Sequence, residues 1–316
     1  MKIRLFQADK DAERTLFAAI KAGAEAHGHD AEIVPNTTDE ARDGNFDLAM
    51  FVGVKSLELH RTLVATNKPF AFLDKPYNRY KSWYRVSFGS HNPDVMSVVN
   101  MGEALDAGRL EREKWTFKPW TDASDERNKI LIVGSSAKYH RFYDLASPPS
   151  YVAALRDEIR RYTNAPIVYR PKPSCRESVH VEGTTFSRGR CSIQEELASC
   201  RVAITHGSNG CFEAMLEGVP CIVTGNGVTS LISSHNIDHV NDPYRASDEQ
   251  RRHVLLALAN LQWSVDEFRQ DQFWRFFENA DYIRRVQDYA RARREGVRGE
   301  RDAVSGGGDP EAGRGD

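Results

Sequence analysis

The chain has 316 residues, 28% of them charged and 40% hydrophobic, with a formal net charge of −2 at pH 7. That length suits two domains, that composition suits a globular fold, and the near-zero charge excludes a globally basic nucleic-acid binder while leaving room for a local basic groove. No apolar run reaches the length of a membrane span, and the opening MKIRLFQADK lacks the apolar stretch of a signal peptide, so a cytoplasmic location is expected.

KIRLF (2–6) reads as a strand. DAERTLFAAIKAGAEAHG is an amphipathic helix that buries Leu16, Phe17, Ile20 and Ala24 and ends at Gly28. AEIVP (31–35) and DLAMFVG (47–53) are strands, SLELHRTLVATN a helix, and PFAFLD (69–74) a fourth strand. This alternation predicts a Rossmann-like domain over residues 1–118, with an irregular aromatic and basic stretch at 75–97. KWTFKPWTDASDERN (114–128) reads as a linker.

The pattern then restarts and predicts a second Rossmann-like domain over 127–265. KILIVGSSAKYH (129–140) is a strand running into a Gly-Ser-Ser loop, and PSYVAALRDEIRRYT is a helix. PIVYRPKP (166–173) is a strand ending in a basic, Pro-rich corner. SIQEELASC is a short helix with Ser192 and Glu195 spaced as a capping box. RVAIT (201–205) is a strand, and after HGSNG the segment CFEAMLEG puts Phe212, Met215 and Leu216 on one helical face, with Glu217 toward solvent. Gly218 and Pro220 stop that helix, and PCIVTG is the next strand. SDEQRRHVLLALANLQW (247–263) is a helix. An aromatic-rich helical region follows, of which 266–292 is expected to cross back to the first domain, and the Gly-rich charged tail at 295–316 is expected to be disordered. The predicted fold is α/β: two Rossmann-like domains with parallel sheets facing an interdomain cleft. Five cysteines (Cys175, Cys191, Cys200, Cys211, Cys221) without a C-x-x-C pair read as reduced thiols with no zinc site.

In parallel α/β sheets, ligands bind beyond the carboxyl ends of the strands. His206, Gly207, Ser208, Asn209 and Gly210 lie at such an end, where free amides and the helix dipole favour an anion. An ordinary strand-to-helix turn is the alternative. Asp9-Lys10-Asp11 has the form of a D-x-D metal motif, but its place at a helix start favours capping. His235 and His239 have metal-ligand spacing without an evident third ligand, so no bound metal is expected.

The Gly-Ser loop, YRPKPS (169–174), SIQEELASC and THGSNGCFEAMLEGVPCIV together make residues 129–225 resemble the nucleotide-sugar half of GT-B-fold glycosyltransferases, capsule-type sugar transferases in particular. DKPYNRYKSWYRVSFGSHNP (74–93) is similar to a segment of glycosyltransferase-like proteins with which bacteriophages modify their own DNA bases. The resemblance implies a metal-independent transferase using a nucleotide sugar, with UDP the expected nucleotide. It implies a donor diphosphate on the turn Gly207–Ser208–Asn209–Gly210 and a donor ribose on Glu213. A side chain at Gly210 is then expected to block the donor while leaving the fold intact. Arg170 and Lys172 suit the leaving diphosphate, Ser135 and Ser136 phosphate or acceptor, and His206 the nucleotide or a strand end. Asp74, at a strand end, is the leading general base, with His91 and Asp9 as rivals. Lys75, Arg79, Lys81, Trp83, Tyr84 and Arg85 form a basic, aromatic acceptor segment. The leading acceptor is a 5-hydroxymethylpyrimidine in double-stranded DNA. The alternatives are a capsule or envelope glycan, a non-catalytic nucleotide- or DNA-binding protein, and an epimerase of the same fold.

Overall fold

The computed structural model describes residues 1–291 apart from 55, 78–80, 94, 103–104, 188–190 and 289–290. Arg79 and the tail at 295–316 therefore lie outside the described residues.

The first sheet has six strands in the order β11-β5-β4-β3-β1-β2. β1 (Lys2–Gln7), β2 (Asp30–Pro35), β3 (Leu48–Val52) and β4 (Phe70–Asp74) are parallel, as the alternation of apolar runs and helices requires. The connecting helices are α1 (Asp11–Ala26), α2 (Thr38–Asp43) and α3 (Leu57–Ala65). The sheet is not purely parallel. The irregular stretch contains β5 (Trp83–Phe88), which runs antiparallel to β4, and β11 (Gln262–Ser264) runs antiparallel to β5. Short helices α4 (Val95–Val99) and α5 (Ala107–Glu113) complete this half.

The second sheet is parallel throughout, in the order β10-β9-β6-β7-β8. Its strands are β6 (Lys129–Val133), β7 (Ile167–Arg170), β8 (Thr185–Phe186), β9 (Cys200–Thr205) and β10 (Cys221–Val223). Its helices are α6 (Ala137–Phe142), α7 (Pro148–Ile159), α8 (Ile193–Leu197) and α9 (Gly210–Leu216). The capping box at Ser192 and Glu195 is formed.

α10 (Asp248–Asn260) stops short of the expected 263, and the chain is already back in the first sheet at Gln262. The aromatic-rich region is broken rather than continuous. A 3-10 turn at Glu267–Arg269, α11 (Asp271–Asn279) and a further helix over 281–288 lie against the first domain. Gly23 explains how they pack. A Cβ there would lie 2.1 Å from the Phe268 carbonyl and 2.3 Å from Trp274 Nε1, so a glycine inside α1 lets the returning chain approach the helix backbone. Trp263, Phe268, Phe273, Trp274 and Phe277 are all buried there. No helix among the described residues is long and apolar enough to cross a membrane.

The linker is fastened to the second domain. Lys118 N–H donates to Leu216 O and Thr121 N–H to Gly218 O, each at 2.8 Å. Gly218 has φ +73°, and a Cβ there would lie 2.1 Å from Pro119 O. Arg251 of α10, fully buried, lies 3.8 Å from the Phe117 ring centroid and 4.0 Å from that of Trp120. Its Nη2 donates to Lys118 O and Met215 O at 2.7 Å each. Glu217, expected to face solvent, pairs with Lys118. Arg251→Leu removes the guanidinium from between two rings and strands both carbonyls. It is expected to destabilise the fold by about 2–4 kcal/mol, measured by urea unfolding.

Candidate active site

Asp74 ends β4, and the antiparallel register sets it opposite Arg85 of β5. The turn after β5 brings His91 and Asn92 back to the same place. Asp74 Oδ2 lies 2.9 Å from His91 Nε2 and accepts from Arg85 Nη2 at 3.4 Å, while Oδ1 accepts from the Lys75 N–H at 2.8 Å. Arg85, His91 and Asn92 are buried, and the Asp74 side chain keeps 28% of its exposure. Burial alone would raise the Asp74 pKa. The His91 hydrogen bond and the Arg85 charge outweigh it and hold the carboxyl well below its usual range. A carboxylate only accepts, so His91 Nε2 carries the proton. Burial and the charges of Arg85 and Lys172 lower the His91 pKa against the pull of Asp74, which favours the neutral ring. Its Nδ1 is then the acceptor for the Tyr143 hydroxyl, 3.0 Å away.

Tyr143 belongs to the second domain, just after α6, so this hydrogen bond crosses the cleft. Burial pushes its phenol up to about 12 and raises that of Tyr139 as well. Tyr139 Oη lies 3.1 Å from His206 Nδ1, and Tyr151 Oη lies 2.8 Å from Thr224 Oγ1. Burial, then the charge of His140, keeps the His206 pKa low. The second-domain wall of the cleft is thus tyrosines and a neutral imidazole.

The turn at 206–210 is more self-contained than an anion cradle requires. Thr205 Oγ1 accepts from the N–H groups of Gly207, at 3.3 Å, and Ser208, at 3.0 Å. Gly210 N–H points to Ser208 Oγ at 3.4 Å. Asn209 occupies the helix N-cap without a capping bond from its side chain. Gly207 serves packing: a Cβ would lie 2.5 Å from Tyr139 Oη and 2.6 Å from Asn226 O. Gly210 does too, with a Cβ 2.6 Å from Val133 Cγ1, so a side chain there presses on the core. Glu213 is half-buried in the first turn of α9.

Several other sites differ from expectation. Arg170 pairs with Glu196 at 2.7 Å and donates to Cys191 O at 3.0 Å, with both side chains about one-tenth exposed. Lys172 is exposed, has no side-chain hydrogen bond or ion pair among the described residues, and its charge reaches His91. Ser136 Oγ caps α6 by accepting from Tyr139 N–H, and Ser135 is buried beside it. Asp9 is exposed and paired with Arg14, and it is not a cap: Lys10 is the N-cap of α1, and Glu13 accepts from Ala8 N–H. In the acceptor segment, Arg85 points inward, Trp83 is covered by the Arg112 guanidinium at 4.3 Å, and Tyr84 packs half-buried on the core. Lys75 and Lys81 remain exposed. His235 Nδ1 meets Val223 O at 3.1 Å, while His239 is exposed beside Asp238. Asn92, Tyr139 and Tyr143 are central here, yet no sequence motif marks them.

No family model matches the chain, and neither does any curated protein. Among solved structures it is similar to Thermosulfurimonas dismutans KpsC, beta Kdo 2,7 transferase, with 15% identity over 89% of this chain and 99% of that one and a TM-score of 0.54. It is also similar to T. dismutans KpsC, beta Kdo 2,4 transferase (12% identity, 84% and 92% covered, TM-score 0.46). A third is spinosyn rhamnosyltransferase SpnG (11% identity, 90% and 96% covered, TM-score 0.27). The two Rossmann-like domains and the returning C-terminal segment make the fold GT-B, as in the first of these.

Two outcomes follow from this geometry. Gly210→Val is expected to lower stability by about 1–3 kcal/mol through overpacking against Val133, measured as a reduced melting temperature. Asp74 has a depressed folded-state pKa, so its stabilising contribution is present above the ordinary carboxylate value of about 4 and is lost as pH falls through the lower folded value. Unfolding free energies followed from pH 7 to 3 are expected to fall less in Asp74→Asn than in the native chain.

Proposed function

We propose that the chain is a glycosyltransferase that moves a sugar from a nucleotide-sugar donor to a hydroxyl acceptor, with Asp74 as general base. The observation that carries this reading is a carboxylate kept ionised at the carboxyl end of β4, part-exposed, and joined through Arg85 and Asn92 to the strand-to-helix turn of the second sheet. Three hydrogen bonds occupy its oxygens, and a carboxylate has about four lone-pair sites, so one is left for an acceptor hydroxyl. As that hydroxyl attacks the anomeric carbon, its proton passes to Asp74 and the bond from sugar to phosphate breaks.

On the donor side, Lys172, whose charge reaches His91, is the cation that meets the leaving phosphate. Glu213 takes the ribose. Arg170 serves the fold through Glu196. Since Lys172 supplies the positive charge, the reaction needs no metal. UDP sugars are the first donors to test, and nucleotide-activated Kdo is the second, because the fold neighbour with the higher TM-score is a Kdo transferase.

A glycan hydroxyl is the favoured acceptor. Of the described residues expected to grip DNA, Arg85 is committed to Asp74 and Asn92, and Trp83 to Arg112, which leaves Lys75 and Lys81 as the exposed cations among them. The test is a donor panel read by nucleotide release, with oligosaccharide acceptors in one arm and hydroxymethylated duplex DNA at two salt concentrations in the other. Salt-sensitive transfer to DNA alone would restore the DNA acceptor, since phosphate contacts release counterions. Nucleotide binding without transfer in either arm would leave a binding protein.

Asp74→Asn is expected to lower turnover by about 10²–10⁴-fold with donor affinity unchanged by calorimetry. Lys172→Ala is expected to raise the barrier by roughly 2–4 kcal/mol, seen in kcat. Full turnover in either variant removes that residue from the mechanism.

A further inference from the structure

We infer that Asn92 is a positioning residue that registers the turn at 206–210 against the Asp74 carboxylate. Its kinetic consequence rests on the transferase reading; its structural consequence does not. Asn92 is fully buried in the segment between β5 and α4. Its Oδ1 accepts from Arg85 Nη1 at 3.0 Å. Its Nδ2 donates across the cleft to Gly207 O, at 3.5 Å, and to Asn226 O. Both amide hydrogens are thus spent on the second domain and the amide oxygen on the first.

The two carbonyls come from the loops that follow β9 and β10, adjacent strands of the second sheet. These loops abut where Asn92 grips them, since only a glycine at 207 leaves room for Asn226 O. On the other side, Arg85 Nη2 donates to Asp74 Oδ2 at 3.4 Å. A continuous path therefore runs from the turn carbonyl through Asn92 and Arg85 to the carboxylate. The neighbouring His91 adds a second crossing to Tyr143.

The residue type matters. An aspartate would set a carboxylate against two carbonyl oxygens, and an aliphatic residue would leave Arg85 and both carbonyls without their partner. A misplacement of about 1 Å between reacting groups is enough to cost about 10²-fold in rate. Asn92 need not touch substrate to control turnover.

The experiment compares the full native chain with Asn92→Asp and, in case the first fails to fold, Asn92→Ser. Near-UV circular dichroism verifies the fold. Amide hydrogen exchange is followed by mass spectrometry, and kcat and KM are normalised to nucleotide-binding sites. Exchange within 206–212 and 224–230 is expected to quicken at least tenfold with β6 unchanged. Turnover per site is expected to fall at least tenfold, with KM for the donor altered less than threefold. Unchanged exchange in those two segments in a folded variant would overturn the proposal, and so would a uniform increase across the second sheet. The expected exchange pattern in a chain that transfers no sugar would support the registering contact and reject the transferase reading instead.

Discussion

A buried arginine beside a half-buried carboxylate must be neutralised and hydrogen-bonded, and the architecture around Arg85 and Asp74 follows from that requirement. Arg85 supplies the charge, and it is in place because β5 turns back antiparallel beside β4 instead of continuing the parallel pattern. His91 supplies the second hydrogen bond, and the turn after β5 carries it there. Arg85 is itself buried and relies on Asn92, which relies on carbonyls from the other domain. Asp74 and Arg85 are bonded within the first domain, while His91 and Asn92 tie the set to the second. Such networks are costly when incomplete and specific when complete.

The sequence is a good guide where structure is local. The apolar β-branched runs give β1 to β4, β6, β7, β9 and β10 close to their observed bounds, because a buried parallel strand needs an unbroken apolar run. β5 and β11 escape that logic. β5 mixes Trp, Tyr and Arg within an irregular stretch, and β11 has three residues at the end of a helical pattern. Both exist because an edge was available for them to pair with, which is tertiary context.

The site was legible in position and less so in role. Asp74, His91 and His206 meet at the cleft, as strand-end logic suggests. Partners are what a sequence hides. Arg170 and Arg85 look alike as cations near a cleft, yet one is held by Glu196 and the other by Asp74 and Asn92. Turn amides look free until Thr205 is seen to accept two of them. Lys172 is exposed, and its side chain has no such partner among the described residues.

The return of β11 also has a consequence for how this chain is made. The first sheet is closed by residues 262–264, so a ribosome that has delivered residues 1 to 261 has released a sheet whose β5 edge is still bare. Bare edges pair with whatever strand is at hand. The whole second domain must emerge before that edge is covered, and synthesis at about 5–20 residues per second leaves it open for several seconds or more. The first domain is first in sequence but last to be finished. Truncation before residue 262 leaves its β5 edge uncovered.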